Sequence, residues 1–405
     1  MTANEAAEEG ETASPRPSGL PLAAALAATL LGMMPAFLIG GLAIFIRHDF
    51  GVNEAEFGLS ISMFFLVSAG LSIPGGMVAQ RLTARGGLAL CGVLTGIALL
   101  GVALVADRWW TFIGFLAIGG LGNALGQPVS NRILVALVPL NRRGVAFGIK
   151  QSAVPLSGLL AGLVVPLVAY VGEWRWVVGS LAAAGLVVVF VGVARLALAS
   201  PEAAPAGLPR LSDPVPLFLI ALAGLLGSIG VTATGSFLIL SLVDRGTSVG
   251  LGGGLLAAGS LTAIAARVVL GWLVDRLGLS RHTLRLMALV LCAGALGYVI
   301  LSFATAQVTL VVGAMLALVG SSGWQGMYHF SVVSRYAAVP ATATGIAQSG
   351  MYAGGIVGPL VFGLVVVHVG YGAAWLVTTA TSLTAIVFVA VVELRARART
   401  ATSVT

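Results

Sequence analysis

Three basic side chains interrupt long apolar stretches of this 405-residue chain: Arg132, Lys150 and Arg267. All fourteen acidic residues lie elsewhere, in polar segments or at the ends of apolar stretches. A cation at the centre of a membrane helix costs about 2.5–3.5 kcal/mol on insertion scales. Its partner must then be backbone, water or a bound anion. This pattern favours binding of an anionic small molecule.

Each cation also has a simpler interpretation. Arg132 precedes Arg142 by ten residues, about 15 Å along a helix, which places it near the middle of the membrane. Arg267 precedes Asp275 by eight residues, about 12 Å, and can pair with that turn or extend to the membrane surface. Lys150 lies about 10 Å from the start of its stretch, within reach of the surface for a flexible side chain.

Polar and aromatic residues concentrate at positions 324–329. Trp324, Gln325 and Tyr328, together with Asn131, provide groups that can orient a solute in a cavity or hydrogen-bond neighbouring helices. His329 is the side chain within the apolar stretches whose unperturbed pKa is suitable for proton exchange, which makes it the candidate for proton coupling. A hydrogen-bonded packing histidine is the alternative.

The elements that position these residues are membrane helices. The chain is 58% hydrophobic and 9% charged, whereas about a quarter of the residues of a soluble domain are charged. Apolar stretches of this length can cross a hydrocarbon core of about 30 Å. We predict an all-α membrane protein with twelve transmembrane helices, at roughly 20–46, 56–79, 86–106, 109–138, 144–171, 176–197, 214–242, 249–274, 283–303, 307–334, 341–367 and 371–392.

The predicted domains follow from the same pattern. Residues 1–19 form a disordered cytoplasmic tail, 20–197 an N-terminal six-helix bundle, 198–213 a cytoplasmic linker, 214–392 a C-terminal six-helix bundle and 393–405 a cytoplasmic tail. Fourteen arginines fall on the side of the termini and four on the other side. The positive-inside rule therefore places both termini in the cytoplasm, with the protein in the cytoplasmic (inner) membrane.

The two halves repeat each other. Asp49–Gly51 aligns with Asp244–Gly246 at an offset of 195, and Gly148–Ser152 aligns with Gly345–Ser349 at 197. The polar turn that ends with Gly278 aligns with a similar turn after the second span. Because each half has an even number of spans, the repeats share one orientation and are related by an axis along the membrane normal.

These turns resemble the signature G-x-x-x-D-R-x-G-R-[RK] of the major facilitator superfamily. The second copy carries Gly271, Asp275, Arg276 and Gly278; the first keeps Gly76 and Arg81 but has Gln80 in place of the aspartate. The resemblance, which extends along nearly the whole chain, implies two parallel six-helix repeats that alternate access to a midplane site. It also implies that the six motif residues form a conformational latch. The alternative is that the turn simply ends a helix at the lipid headgroups.

The predicted function is secondary active transport of a small organic or inorganic anion. Arg267, Arg132 and Lys150 would hold the substrate, with Asn131, Trp324, Gln325 and Tyr328 shaping the pocket. Some facilitators of monocarboxylates and inorganic anions carry an arginine in the eighth span, similar to Arg267. Ala263 stands where those proteins have an aspartate, so the match is partial.

Proton-coupled export of hydrophobic compounds or drugs is the alternative within the transporter class, and a transporter-like receptor is the alternative outside it. Ile118 and the segment 153–158 lack the arginine and Gly-Pro signature expected of proton-coupled drug antiporters. We expect no enzymatic activity, cofactor or metal site. The expected partners are the substrate, a coupling proton or ion and the lipid bilayer, without nucleic acid, and the expected state is a monomer.

Overall fold

The computed structural model describes residues 19–137, 143–195, 214–278, 282–336 and 340–402. Within these ranges the backbone forms sixteen α-helices and no β-strand. In an apolar solvent every backbone N–H and C=O group needs a partner within the protein, and a long apolar segment meets this need as a helix. The predicted all-α fold class is confirmed.

The described residues of the first half, 19–137 and 143–195, form nine helices. They are α1 (Gly19–Gly41), α2 (Ala43–Phe50), α3 (Glu54–Gly70), α4 (Ser72–Arg81), α5 (Ala84–Leu104), α6 (Trp109–Leu137), α7 (Arg143–Gln151), α8 (Ala153–Val171) and α9 (Trp174–Arg195).

The second half forms seven helices within the described ranges. They are α10 (Pro214–Asp244), α11 (Val249–Arg276), α12 (Thr283–Phe303), α13 (Gln307–Ser322), α14 (Gln325–Arg335), α15 (Pro340–Val369) and α16 (Tyr371–Thr402). Helix α16 continues past residue 392, so the segment interpreted as a tail begins as a helical extension. The predicted linker and most of the predicted N-terminal tail lie outside the described residues.

Eleven helical segments of the described chain are long and apolar enough to cross a bilayer, and the pair α2–α3, bent by 114°, raises the number to at most twelve. The bend lies next to Gly51, whose φ of 65° is left-handed. It reverses the chain, and α3 then leads through Leu71 into α4. We therefore interpret α3 and α4 together as the second predicted span.

Two spans break shortly before a proline. The breaks at Leu71 and Ser152 each precede a proline, Pro74 or Pro155, by three residues. A proline has no N–H to donate to the carbonyl four residues earlier, which frees the carbonyl of Gly70 or Gln151. A third break separates α13 from α14 at residues 323–324, without a proline. Such breaks leave backbone acceptors for side chains from other helices.

Six turns lie at one end of the bundle, which we call the Glu54 face: residues 51–53, 105–108, 172–173, 245–248, 304–306 and 370. Arg175 bonds the carboxylate of Asp49 at 3.0 Å and the carbonyl of Ala106 at 2.7 Å. Arg245 donates to the carbonyl of Ala304 at 3.3 Å. These contacts join neighbouring turns at this end, which the arginine distribution predicts to be the outer face.

Contacts between helices follow the repeat. In the first half α5 packs on α6 and α9, and in the second half α12 packs on α13 and α16. Between the halves α3 packs on α15, and α8 packs on α11. These two pairs exchange under the repeat, since spans two and five of one half correspond to spans eight and eleven of the other. The arrangement fits two parallel six-helix repeats.

Glycines bring the two halves into close contact on the side of the Glu54 face. A Cβ atom at Gly58 would lie 2.2 Å from the carbonyl oxygen of Pro359, and one at Gly162 would lie 2.5 Å from the backbone nitrogen of Ala257. At the same face the Tyr371 hydroxyl donates to Glu54 at 3.1 Å. The halves are therefore closed against each other along this part of the molecule.

Candidate functional site

Lys150 is buried at the end of α7, with 2% of its surface exposed. Its Nζ donates to Oε1 of Gln127 and to Oδ1 of Asn131, each at 2.7 Å. Both acceptors lie on α6, four residues apart, which places them on one face of that helix. The ammonium group is thus held by two neutral amides within the first half.

Arg267, on α11, is equally buried. Its Nε donates to the carbonyl of Ser322 at 2.7 Å, and one terminal nitrogen donates to Oε1 of Gln325 at 2.6 Å. That nitrogen also contacts the Ser322 carbonyl, and the other donates to the carbonyl of Gln151. These partners are again neutral.

The backbone partners of Arg267 come from helix breaks in both halves. The Gln151 carbonyl would accept from residue 155 in a regular helix, but Pro155 has no N–H. Ser322 is the last residue of α13, immediately before the break that precedes α14. Arg267 belongs to the second half and Gln151 to the first, so this guanidinium also fastens the two halves together.

His329 lies between the same halves. Nε2 of Gln151 is 2.9 Å from both ring nitrogens, Nδ1 is 2.9 Å from the Gln325 carbonyl, and Nε2 is 3.2 Å from Oε1 of Gln348. A neutral ring can donate from Nδ1 to Gln325 and accept from Gln151. A protonated ring has two donors and no acceptor, so it could keep Gln325 and Gln348 but not Gln151.

Four glutamines join these groups into one network. Gln127 and Gln325 are related by the repeat at an offset of 198, and Gln151 and Gln348 at 197. The first pair accepts from the two cations, and the second pair bonds His329. Both pairs border a central cavity.

This central cavity lies between the halves and is narrow in this conformation, with a volume of about 30 Å³. Its lining consists of Met33, Phe37, Phe65, Gln127, Gln151, Val154, Ser228, Val231, Thr232, Gln325, Gln348, Met351, Tyr352 and Gly355. The mixture of apolar surface with a few amides and hydroxyls is typical of a small-molecule site.

A second space, of about 20 Å³, extends from Arg267 towards the turn motif. It is bordered by Gly148, Arg267, Gly271 and Val274, among others. Gln151 and Gln325, which bond Arg267, border the central cavity. Arg267 and its partners therefore form the partition between the two spaces.

Among the described side chains, no aspartate or glutamate is buried. The side chain of Asp275 lies outside the described part of the structure. Within that part, the described partners of Lys150 and Arg267 are carbonyl and amide oxygens alone.

Residues 24–340, well over half of the chain, match the family model described as Major Facilitator Superfamily. The chain belongs to the Major Facilitator Superfamily. It is therefore a multi-pass membrane protein of a transporter family, as its turn motif predicts.

Several curated relatives share parts of this sequence. An uncharacterized MFS-type transporter of Mycobacterium tuberculosis is 27% identical over 302 residues, covering 71% of this chain and 66% of the relative, so the chain spans just under two thirds of its length. A D-galactonate transporter of Escherichia coli O6:H1 is 29% identical over 143 residues, or 33% of this chain and 30% of the relative.

Two further relatives match shorter regions and differ in what their names imply. A probable sulfoacetate transporter of Cupriavidus necator is 25% identical over 130 residues, covering 32% of this chain and 30% of the relative. The multidrug resistance protein MdtH of Cronobacter sakazakii is 32% identical over 108 residues, covering 26% of this chain and 27% of the relative.

Among solved structures, a D-xylose-proton symporter has a TM-score of 0.71 at 17% identity, covering 92% of this chain and 96% of that chain. Such a likeness establishes the fold alone.

Within this MFS fold, the structure brings two of the three predicted cations to the network. The third, Arg132, points elsewhere, because its guanidinium donates to the carbonyls of Ala79 and Leu82 at the end of α4. Free carbonyls at a helix C-terminus attract a cation. Arg132 therefore binds a helix end, while its neighbour Asn131 bonds Lys150.

Trp324 and Tyr328 are fully buried and pack within the second half. A Cβ atom at Gly227 would lie 2.7 Å from the Trp324 ring, and one at Gly224 would lie 2.3 Å from the Tyr328 hydroxyl. That hydroxyl donates to the carbonyl of Ala347 at 2.9 Å. Neither side chain lines the central cavity, whereas Gln325 does.

The predicted latch residues occupy two similar turns. Gly278 has a left-handed φ of 63° just after α11, a conformation that favours glycine. The Arg276 guanidinium lies 4.8 Å from the centre of the Trp272 ring. In the first copy Arg81 is exposed at the end of α4, and Gly76 has open space around it. Latching by Asp275 stays a prediction.

The sequence interpretation did not single out Ser228, Thr232 or Tyr352 as cavity residues. Ser228 and Thr232 are small hydroxylic residues of α10, which is buried along most of its length. Residues of this kind also pack between helices, so nothing in their pattern marks a binding site.

Proposed function

We propose that this transporter carries a small anion and that Lys150 and Arg267 bind its charged group. The observation that carries the proposal is that both cations are buried beside the central cavity and, within the described part of the chain, bond neutral oxygens. Each buried cation is costly in a membrane. An anion entering the cavity would offset that cost more effectively than an amide does.

The partners of these cations support exchange with a substrate. The amides of Gln127, Asn131 and Gln325 sit on flexible side chains, whose rotation would release the two cations. The cations would then turn towards the cavity. Relatives named for D-galactonate and sulfoacetate transport, both anions, are in line with this substrate class.

Transport would proceed by rocking of the two halves about the central cavity. The closed contacts near the Glu54 face form one barrier, and Arg267 with its two glutamine partners forms part of the other. We place the Glu54 face outside and both termini in the cytoplasm of the inner membrane, on the basis of the arginine distribution.

Uptake into proteoliposomes tests the anion assignment. We would load vesicles with the purified protein and measure uptake of labelled carboxylates, sulfonates and inorganic anions by the wild type and by Lys150→Gln and Arg267→Gln. Arg395→Gln is the matched charge control, because Arg395 is exposed near the end of α16. We expect both site variants to lose at least tenfold in uptake of the preferred anion and the control to keep it. Normal uptake by the site variants would refute the proposal.

Export of a hydrophobic compound is the second candidate, favoured by the apolar part of the cavity lining, Met33, Phe37, Phe65 and Met351, and by the relative named for multidrug resistance. It predicts transport of hydrophobic cations that Lys150→Gln leaves unchanged or improves, since removing a positive charge favours a cationic solute. The same vesicles measure this directly.

Coupling to protons would act through His329. Protonation would remove the acceptor that Gln151 uses and so loosen a contact between the halves, with Lys150 and Arg267 as the charged groups near the ring. Uptake driven by an imposed pH gradient should then disappear in His329→Gln, while exchange of the anion at equal pH remains. Gradient-driven uptake in that variant would exclude this role.

A further inference from the structure

The central cavity contains two hydroxyl groups that the anion proposal does not use. Among the described residues, six buried side-chain polar atoms have no hydrogen-bond partner, and two of them are Ser228 Oγ and Tyr352 Oη. Both residues line the central cavity, and both are at least 96% buried, with exposed fractions of 4% and 2%. The others, for example Ser62 Oγ, belong to residues that do not line it.

Ser228 departs from the usual behaviour of a serine in a helix. Such a hydroxyl commonly donates to a carbonyl one turn earlier in its own helix. Ser157, Thr232 and Ser331 do so at 2.8–3.1 Å. Ser228 makes no such bond, although Thr232 one turn later on α10 donates to the Ser228 carbonyl.

Tyr352 is in a similar position on α15. Gln348, one turn earlier, interacts weakly with its hydroxyl, outside normal hydrogen-bond geometry. Oε1 of Gln348 already interacts with Nε2 of His329 at 3.2 Å. The Tyr352 hydroxyl is thus left without a bond of normal geometry at the cavity wall.

We propose that Ser228 and Tyr352 bind a hydrogen-bonding substituent of the transported anion, so that the substrate is a hydroxylated carboxylate rather than an unsubstituted one. This inference rests on the proposed anion site. Buried hydroxyls without partners are unfavourable in the empty cavity and become satisfied when a hydroxyl of the solute reaches them. A site built in this way rejects the analogue that lacks the hydroxyl.

The test compares pairs of carboxylates with equal chain length: lactate with propionate, and D-gluconate with hexanoate. Calorimetric titration of the purified protein would give affinities for the wild type, Ser228→Ala and Tyr352→Phe. We expect the wild type to prefer the hydroxylated member of at least one pair. Each variant should weaken binding of that member by about 2- to 12-fold and leave its unsubstituted partner unchanged.

Ser331→Ala is the control, because this buried serine of the same half donates to the Tyr328 carbonyl and does not line the central cavity. It should leave the preference intact. Thermal unfolding of the free protein provides a second readout, in which Ser228→Ala should not lower the melting temperature, because the Ser228 hydroxyl makes no hydrogen bond to a described residue.

The outcomes separate the two proposals. If the wild type binds both members of each pair equally, or if the variants keep the wild-type preference, the inference is wrong while the anion site stands. If no carboxylate binds, and uptake of every tested anion is also absent, the anion proposal fails and this inference fails with it.

Discussion

Closure of the two halves near the Glu54 face depends on Gly58. A methyl group there would lie 2.2 Å from the carbonyl oxygen of Pro359 and 2.8 Å from its carbonyl carbon. Both atoms belong to the backbone of α15, so no side chain can move aside. We therefore expect Gly58→Ala to push α3 away from α15.

The magnitude follows from the location of this contact between the halves. Overpacking at a tight site costs about 1–3 kcal/mol. Because the clash disappears when the halves separate at this face, it destabilises only the closed conformer. The ratio of closed to open molecules should then fall by about 5- to 150-fold.

Gly70→Ala is the matched control. Gly70 ends the same helix, α3, and a Cβ atom there would meet no atom within 4 Å. Replacing a helical glycine by alanine improves helix propensity by up to about 1 kcal/mol. Gly70→Ala should therefore be neutral or slightly stabilising, and it reports the effect of the added methyl group without the clash.

The assay is the rate of thiol labelling at Ser260→Cys. Ser260 is 4% exposed on α11, and a Cβ atom at Gly158 on α8 would lie 2.7 Å from its Oγ, so it lies between the halves. The exposed Cys292 would first be replaced. Gly58→Ala should accelerate labelling at least fivefold over Gly70→Ala. Equal rates in the two proteins, both folded by circular dichroism, would refute the reasoning.

Three further predictions rest on single contacts. Pro155→Ala restores an N–H that competes with Arg267 for the Gln151 carbonyl and so weakens this contact between the halves. Thiol labelling at Met327→Cys, beside the second space, should then be about 2- to 10-fold faster than in the protein that keeps Pro155. Arg175→Ala removes the bonds to Asp49 and to the end of α5 and should lower stability by about 1–3 kcal/mol, seen as a lower melting temperature in detergent. Gly278→Ala forces alanine into a left-handed conformation and should lower the free energy of unfolding by about 1–2 kcal/mol. Gly271→Ala, where the added methyl group meets open space, should leave the free energy of unfolding unchanged.

Much of the architecture is encoded in short stretches of sequence. Apolar runs separated by polar turns predict the spans, because each helix must satisfy its own backbone in lipid. The repeat offset near 195 predicts the two halves. Boundaries were less well predicted. The break between α13 and α14, for example, has no proline that would predict it. Helix α16 continues past the last apolar stretch to Thr402.

The candidate site was predicted in part for the same reason. A lone cation in an apolar run is visible in the sequence, so Lys150 and Arg267 could be named. Arg132 looks identical by that criterion, yet it binds the end of α4, because the end of α4 lies within reach of its guanidinium. Trp324 and Tyr328 lie within three residues of Gln325 in the chain but pack inside the second bundle against Gly227 and Gly224 of α10, a contact that the spacing along one helix does not specify.

The sequence by itself determined the membrane location, the helical class, the family and the presence of cations within apolar stretches, because each depends on residue type and on spacing along one segment. Only the tertiary structure decided which cations meet, which carbonyls hold them and which hydroxyls remain free. Those facts depend on contacts between different helices, from 19 positions apart for Lys150 with Asn131 to 116 for Arg267 with Gln151. No local pattern specifies such a contact, because it arises from the packing of whole helices against one another.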